Sequence, residues 1–272
     1  MELIYLEAIK TFASGREREE EHGWLRYGLD KKLRQEMYPP ELVEQVMTHP
    51  AKMNAYLCRD IVEFVSEPGD TILDCFGGVG TTLVAASMAR NVTLIEIEDY
   101  YADIIRKCID HLSGSVGVGD MMLVQADNRL AMPIPCDHII TSPPYGNDLY
   151  KEADKALNET IGKQVEQYGK ATQNIGRLNP FIYKQAMQKV YGLMVRSVKV
   201  GGTITITHRD RIESGERILY IDSIIGTLVK LGCSVHNLDK WKAPGSIQSR
   251  VNEKLGSEVV LDEDVITMKR VR

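Results

Sequence analysis

Asp70-Thr71-Ile72-Leu73-Asp74-Cys75-Phe76-Gly77-Gly78-Val79-Gly80 is the stretch that decides the fold. A short apolar run ends on an acid, and glycines follow at once. Such a run, bounded by turn residues, reads as a strand buried on both faces. Glycines after it let the backbone turn tightly and come close to a ligand. The next residues, Thr81 to Arg90, read as a helix whose N-terminus faces the polar end of that strand.

Working outward, the same unit recurs. Asn91 to Glu96 is a second strand ending on an acid, and Tyr100 to Leu112 a helix. Met121 to Ala126 is a third strand, followed by Asp127. His138 to Thr141 is a fourth, followed by Ser142-Pro143-Pro144-Tyr145. Beyond a polar stretch over 146–180, Phe181 to Val198 has helical spacing, Thr203 to Thr207 is a β-branched strand, and Ile218 to Leu231 is a helix. Ser234 to Trp241 and Asp264 to Lys269 read as two closing strands. Alternating strands and helices predict an α/β fold: a seven-stranded, mostly parallel sheet with helices on both faces. Ligands bind at the carboxyl ends of strands in such sheets, where Asp74, Glu96, Asp127 and Ser142 all fall.

The acids suit a nucleoside-like ligand. Glu96 can accept hydrogen bonds from both hydroxyls of a ribose, and Asp127 from an adenine amino group. Asp127 is equally placed to cap the helix that begins at Asn128-Arg129. In Ser142-Pro143-Pro144-Tyr145 the two prolines fix the backbone and remove two N–H donors. The Ser142 hydroxyl and a neighbouring carbonyl then serve as acceptors, and Tyr145 offers a face on which a base can stack. Together they can hold both hydrogens of an exocyclic amino group and aim its nitrogen at an electrophile.

These motifs resemble those of the amino methyltransferases of DNA, which make N4-methylcytosine or N6-methyladenine. Asp74-Cys75-Phe76-Gly77-Gly78-Val79-Gly80-Thr81-Thr82 is similar to their DPFxGxGTT cofactor motif, with Cys75 in place of the usual proline. Thr141-Ser142-Pro143-Pro144-Tyr145 is similar to their (D/N/S)PPY catalytic motif. His49-Pro50-Ala51-Lys52, with the helix Tyr56 to Val65 and Glu67-Pro68-Gly69-Asp70, looks like the segment that precedes their first strand and helps hold a methionine moiety. The resemblance implies a Rossmann-like methyltransferase fold and S-adenosylmethionine as cofactor. It implies that Lys52, Asp74, Phe76, Gly78, Gly80, Thr81, Thr82, Glu96 and Asp127 bind the cofactor, and that Ser142, Pro143, Pro144 and Tyr145 form the catalytic site. A serine before Pro-Pro-Tyr is, within the family, most like the N4-cytosine enzymes; N6-adenine stays open, and RNA amino methylation after it. An enzyme acting on a protein or small-molecule amine would not need the Ser-Pro-Pro-Tyr turn. A silent methyltransferase fold that only binds DNA is the non-enzymatic alternative.

The net charge of -5 conceals an asymmetry. Residues 1–150 hold 13 Lys and Arg against 24 Asp and Glu, and residues 151–272 hold 20 against 14. The second half can therefore face phosphates. Candidate DNA contacts are Lys151, Lys155 and Arg177 in a loop over 146–180, expected to be mobile and to close over a bound strand. Others are His208, Arg209 and Arg211 after the fifth strand, and Lys240, Lys242 and Arg250 around Trp241, itself a candidate for the loop or the core.

The expected organisation is a charged helical extension over 1–40 and a methyltransferase domain over 41–272. Arg16-Glu17-Arg18-Glu19-Glu20-Glu21 reads as a solvated helix, or as one packing on a second copy in a homodimer. No segment reads as a separate target-recognition domain, so a restriction–modification role is not implied by the motifs alone. Five scattered cysteines without metal-ligand spacing read as reduced, buried thiols, with no metal site. No apolar run is long enough to span a membrane and no basic-then-apolar leader opens the chain, so a cytoplasmic protein is expected.

Overall fold

The structure, a computed structural model, describes residues 10–47, 52–144, 171–213, 216–243 and 259–272. Nine strands follow in chain order: β1 (Thr71–Asp74), β2 (Asn91–Glu96), β3 (Met121–Gln125), β4 (Cys136–Thr141), β5 (Val198–His208), β6 (Arg211–Glu213), β7 (Glu216–Ile218), β8 (Cys233–Lys242) and β9 (Asp262–Arg270). Seven build one sheet in the order β3-β2-β1-β4-β5-β9-β8, and β6 and β7 pair as a separate hairpin. β1 runs parallel to β2 and β4, β2 to β3, and β4 to β5. β9 is antiparallel to both β5 and β8. This is the Rossmann-like arrangement expected from the sequence. The chain steps outward from β1 through β2 and β3, then returns to lay β4 on the other side of β1. That reversal opens a crevice at the carboxyl ends of β1 and β4.

Alternation along the strands builds two cores. Ile72, Leu94 and Ile140 point to one face, covered by α1 (Lys31–Met37), α2 (Pro40–Met47), α3 (Ala55–Val65), a 3-10 helix (Thr81–Met88) and α4 (Asp99–Leu112). Their neighbours Leu73, Ile95 and Ile139 point to the other, covered by α5 (Asn128–Ala131), α6 (Pro180–Ser197) and α7 (Ile221–Lys230). Period 2 in the strands makes this division automatic. All five cysteines are buried free thiols. No helix among the described residues is long and apolar enough to cross a membrane.

Several local expectations are corrected. The segment after the glycine turn winds as a 3-10 helix over Thr81–Met88, not as an α-helix. Of the two readings open for Trp241 the core holds: it lies inside β8, its indole N–H donating to Glu263 at 2.9 Å. The hairpin of β6 and β7 was not foreseen, because three-residue strands carry too little pattern. The charged run is not a helix. Arg18 bridges to Leu25, and Leu25 bonds the backbone of β8 from both sides, its N–H to Lys240 at 2.9 Å and its carbonyl from Lys242 at 2.8 Å. Three of its charges find remote partners: Arg16 pairs with Asp60, Arg18 with Asp239, and Glu19 with Lys242. Gly15 and Gly23, with φ of 80° and 70°, end the turns on either side. The segment caps a sheet edge that would otherwise stand open to pairing.

One ion pair here is buried. Arg34 is fully enclosed and bonds Asp30 at 2.8 Å, the Met53 carbonyl at 2.7 Å and the Thr81 hydroxyl at 3.3 Å. Asp30 also accepts from the Ala55 N–H at 2.8 Å, so the pair fastens α1 to the start of α3 and to the turn after β1. Removing one partner of such a pair leaves the other charged and dry. Arg34→Met is expected to lower the unfolding free energy by about 3–5 kcal/mol, read from urea denaturation. Arg18→Ala, which removes the exposed pair to Asp239, is expected to change it by less than about 1 kcal/mol. Similar midpoints for the two variants would contradict the anchoring role of Arg34.

Candidate functional site

The crevice predicted by the strand order holds a cleft of about 630 Å³. Phe76 and Gly78 reach it from the turn after β1, Glu96 and Glu98 from the end of β2, Asp127 from the end of β3, and Ser142 and Pro144 from the end of β4. Ile97, Tyr101 and Ile175 add apolar surface.

Asp74 lies beneath this cleft and builds it. Its carboxylate is buried, accepting from the Thr141 hydroxyl at 2.7 Å, the Phe76 N–H at 3.0 Å and the Thr82 hydroxyl at 2.5 Å. Burial pushes its pKa up, against the pull of Thr82, Thr141 and Phe76. Gly80 then closes the turn at φ 82°, where a Cβ would meet Ile105 at 3.1 Å; glycine is required there.

Glu96 accepts three backbone N–H groups: from Gly78 at 2.6 Å, from Ile97 at 2.9 Å and from Glu98 at 2.8 Å. Burial nevertheless lifts its pKa to about 7, opposed by those N–H bonds and aided by the nearby Glu98. Asp127 caps α5 through the Arg129 N–H at 2.9 Å and pairs with the Arg129 guanidinium at 2.6 Å. The guanidinium and N–H bonds hold its carboxyl below the usual range in spite of desolvation, which acts the other way and is the largest influence. Asp127 thus performs the capping the sequence allowed for, while still lining the cleft.

Not every candidate reaches the cleft. Lys52 donates to the Met47 carbonyl at 2.7 Å, and burial, with Arg34 nearby, lowers its pKa to about 8. Thr81 bonds Arg34 instead. Tyr145, Lys151, Lys155 and Arg250 lie outside the described residues, as do His49, Pro50 and Ala51. Three of the candidate phosphate contacts that are described carry acidic partners. Lys240 pairs with Asp262 and Asp264, Lys242 with Glu19, and Arg209 with Glu263. His208 packs against Tyr220, with ring centroids 5.0 Å apart. Arg211 lies in β6, and Arg177 is exposed on a 3-10 turn at Ile175–Arg177.

The sequence reading missed a layer over the cleft. Residues 171–179, expected within a mobile loop, pack against it. Glu98 accepts from Asn174 Nδ2 at 2.6 Å and from the Ala171 N–H at 3.0 Å, and Arg129 donates to the Gln173 carbonyl at 2.8 Å. The only signals available were Asn174 and Asn179, two side chains suited to capping. They cap the 3-10 turn and α6, respectively.

The cleft fits S-adenosylmethionine. Apolar walls from Phe76, Ile97 and Ile175 suit a purine ring, Glu96 suits ribose hydroxyls, and Asp127 suits an amino group. Ser142 and Pro144 stand on the β4 side of the same cleft.

Comparison with known proteins agrees. Residues 7–107 match a family described as DNA methylase. A 63-residue stretch, 23% of this chain and 18% of its relative, is 41% identical to the Type II methyltransferase M.BglI of Bacillus subtilis. Among solved structures, TrmN from Thermus thermophilus superposes with a TM-score of 0.48 at 15% identity, covering 82% of this chain and 50% of that one. A methyltransferase from Pyrococcus furiosus gives 0.47 at 12% identity, covering 81% and 84%. The strand order, rather than these distant likenesses, carries the fold. Over residues 7–107, which hold the stretch from Asp74 to Thr82, the chain is a match to the DNA methylases, and its resemblance there to the amino methyltransferases of DNA is borne out.

Proposed function

We propose that this chain transfers a methyl group from S-adenosylmethionine to the exocyclic amino group of a base in double-stranded DNA, and that the base is cytosine, methylated at N4. One observation carries the reading: the Ser142-Pro143-Pro144 turn opens from the end of β4 into the same cleft as Glu96 and Asp127. Acceptors for an amino group thus adjoin acceptors for a nucleoside.

Bound in the cleft, the cofactor supplies a methyl on a sulfonium sulfur, an electrophile that needs no activation by the protein. The chain's own residues position the acceptor. The base leaves the duplex stack to reach the turn. Tyr145 stacks on it, while Ser142 Oγ and the Pro143 carbonyl accept its two amino hydrogens. The nitrogen lone pair is drawn out of conjugation with the ring and points towards the methyl. As the N–C bond forms the S–CH3 bond breaks, its electron pair staying on sulfur as a neutral thioether, and one of the two amino hydrogens so held passes as a proton to water by way of Ser142 Oγ. Catalysis is then chiefly orientation and the exclusion of water. Phosphate contacts are assigned to Arg177, Lys151 and Lys155, on the basic side of the chain's charge asymmetry.

Incubation with labelled cofactor and duplex DNA, followed by nucleoside mass spectrometry, is expected to yield N4-methylcytosine. N6-methyladenine would change the base and keep the enzyme class. Label found only on RNA would move the substrate, and no transfer together with no cofactor binding would overturn the reading. Ser142→Ala is expected to slow turnover about tenfold, the worth of one hydrogen bond of roughly 1.4 kcal/mol. A full rate in that variant would remove Ser142 from the acceptor role.

Glu96 gives the cofactor site a pH dependence. Below its pKa of about 7 the carboxyl is protonated and is the weaker acceptor for ribose hydroxyls. Cofactor affinity, measured by titration calorimetry, is therefore expected to rise from about pH 6 to about pH 8 and then level off. Glu96→Gln is expected to bind weakly at every pH and to flatten the curve.

A further inference from the structure

Pro144 is gripped from two sides by residues remote from it in the chain. The Tyr183 hydroxyl, in the first turn of α6, donates to its carbonyl at 2.6 Å. Gly176 lies against its ring so closely that a Cβ there would stand 3.2 Å from Pro144 Cβ. The piece of chain carrying both residues is itself pinned. Asn174 accepts from the Gly176 N–H at 2.8 Å and donates to Glu98 at 2.6 Å. Glu98 takes the Ala171 N–H with its other oxygen, at 3.0 Å. Asn179 caps α6 through the Ile182 N–H at 3.0 Å, and the Tyr183 N–H bonds the Asn179 carbonyl at 2.8 Å.

Glu98 is also tied to the cofactor side. Its N–H donates to the Glu96 carboxylate at 2.8 Å, and its own carboxylate is buried. Arg129, two residues beyond Asp127, holds the Gln173 carbonyl as well. Each carboxylate assigned to the nucleoside therefore stands two residues from a group that holds the overlying segment. Hydrogen bonds run from Glu96 through Glu98 and Asn174 to Gly176, Gly176 packs on the Pro144 ring, and α6 brings the Tyr183 hydroxyl back to the Pro144 carbonyl.

We propose that residues 171–183 are a brace that sets the catalytic turn, with Tyr183 and Glu98 as positioning residues for methyl transfer. The proposal rests on the function given above and adds to it. Tyr183 and Gly176 fix the second proline, so that the Pro143 carbonyl and Ser142 hold their angle to the incoming amino group. Glu98 fixes the brace to the strand that binds the cofactor. Chemistry on one side of β1 and cofactor binding on the other then share a single support.

Two variants and two measurements test this. Tyr183→Phe keeps the ring and removes the hydroxyl that donates to Pro144. It is expected to lower kcat about tenfold, with KM for DNA, cofactor affinity and melting temperature near those of the parent. Hydrogen–deuterium exchange is expected to quicken in the peptide carrying Ser142 to Tyr145 and to stay unchanged in β5. Glu98→Gln turns an acceptor of two bonds into a group that opposes one of them. Its exchange is expected to quicken both in the segment from Ala171 to Leu178 and in the catalytic turn, with kcat falling again. Parental exchange of the turn in both variants would overturn the brace, as would a kcat that falls only in proportion to lost folded protein. If the parent itself transfers no methyl group, the assigned function fails, and the exchange measurement still decides whether Tyr183 and Glu98 hold the turn.

Discussion

The carboxylate of Asp74 is the joint on which the site depends. It ends β1, takes the Thr141 hydroxyl from the end of β4, and takes the Thr82 hydroxyl from the helix that follows the glycine turn. Three chain segments are thereby fixed to one buried charge at the place where the sheet order reverses. A buried carboxylate is costly unless its oxygens are satisfied. Here two hydroxyls and one N–H satisfy it. The geometry of the glycine turn and that of the Ser-Pro-Pro turn cannot then drift apart independently.

Glu96 carries the neighbouring constraint. Its three N–H donors belong to Gly78 on the β1 turn and to Ile97 and Glu98 beyond β2. The donors draw two loops together around a group that burial holds near the edge of ionisation. With Asp127 spanning the start of α5, every acid that ends a cofactor-side strand also organises its own loop. On the function proposed above, binding surface and loop scaffold are the same atoms.

Much of this was legible in the sequence, for a physical reason. Parallel strands buried on both faces leave short apolar runs, and the acids and glycines that end them are local signals. Asp74, Glu96, Asp127 and Ser142 could be placed from such signals alone. What escaped was whatever depends on distant partners. Arg18 meets Asp239, and Lys240 and Lys242 meet Asp262, Asp264 and Glu19, so a charged run and a basic patch were read as solvent-facing. Glu98 and Tyr183 escaped likewise, since their bonds to Asn174 and Pro144 cross a long stretch of chain with no pattern to announce them. The 3-10 winding of Thr81–Met88 escaped too, since the residues there carry no pattern that separates it from an α-helix.

The strip from Arg18 to Leu25 along β8 has a consequence for synthesis. This strip is made before the strand it covers, which, with Asp239, follows some two hundred residues later. Its charges and backbone groups must wait in solvent or in passing contacts until β8 and β9 have paired. Closure of the sheet edge therefore waits for the synthesis of β8 and β9. A nascent chain cut short before β8 would present both the unfinished sheet and the waiting strip as sticky surfaces, a state in which holding chaperones have something to hold.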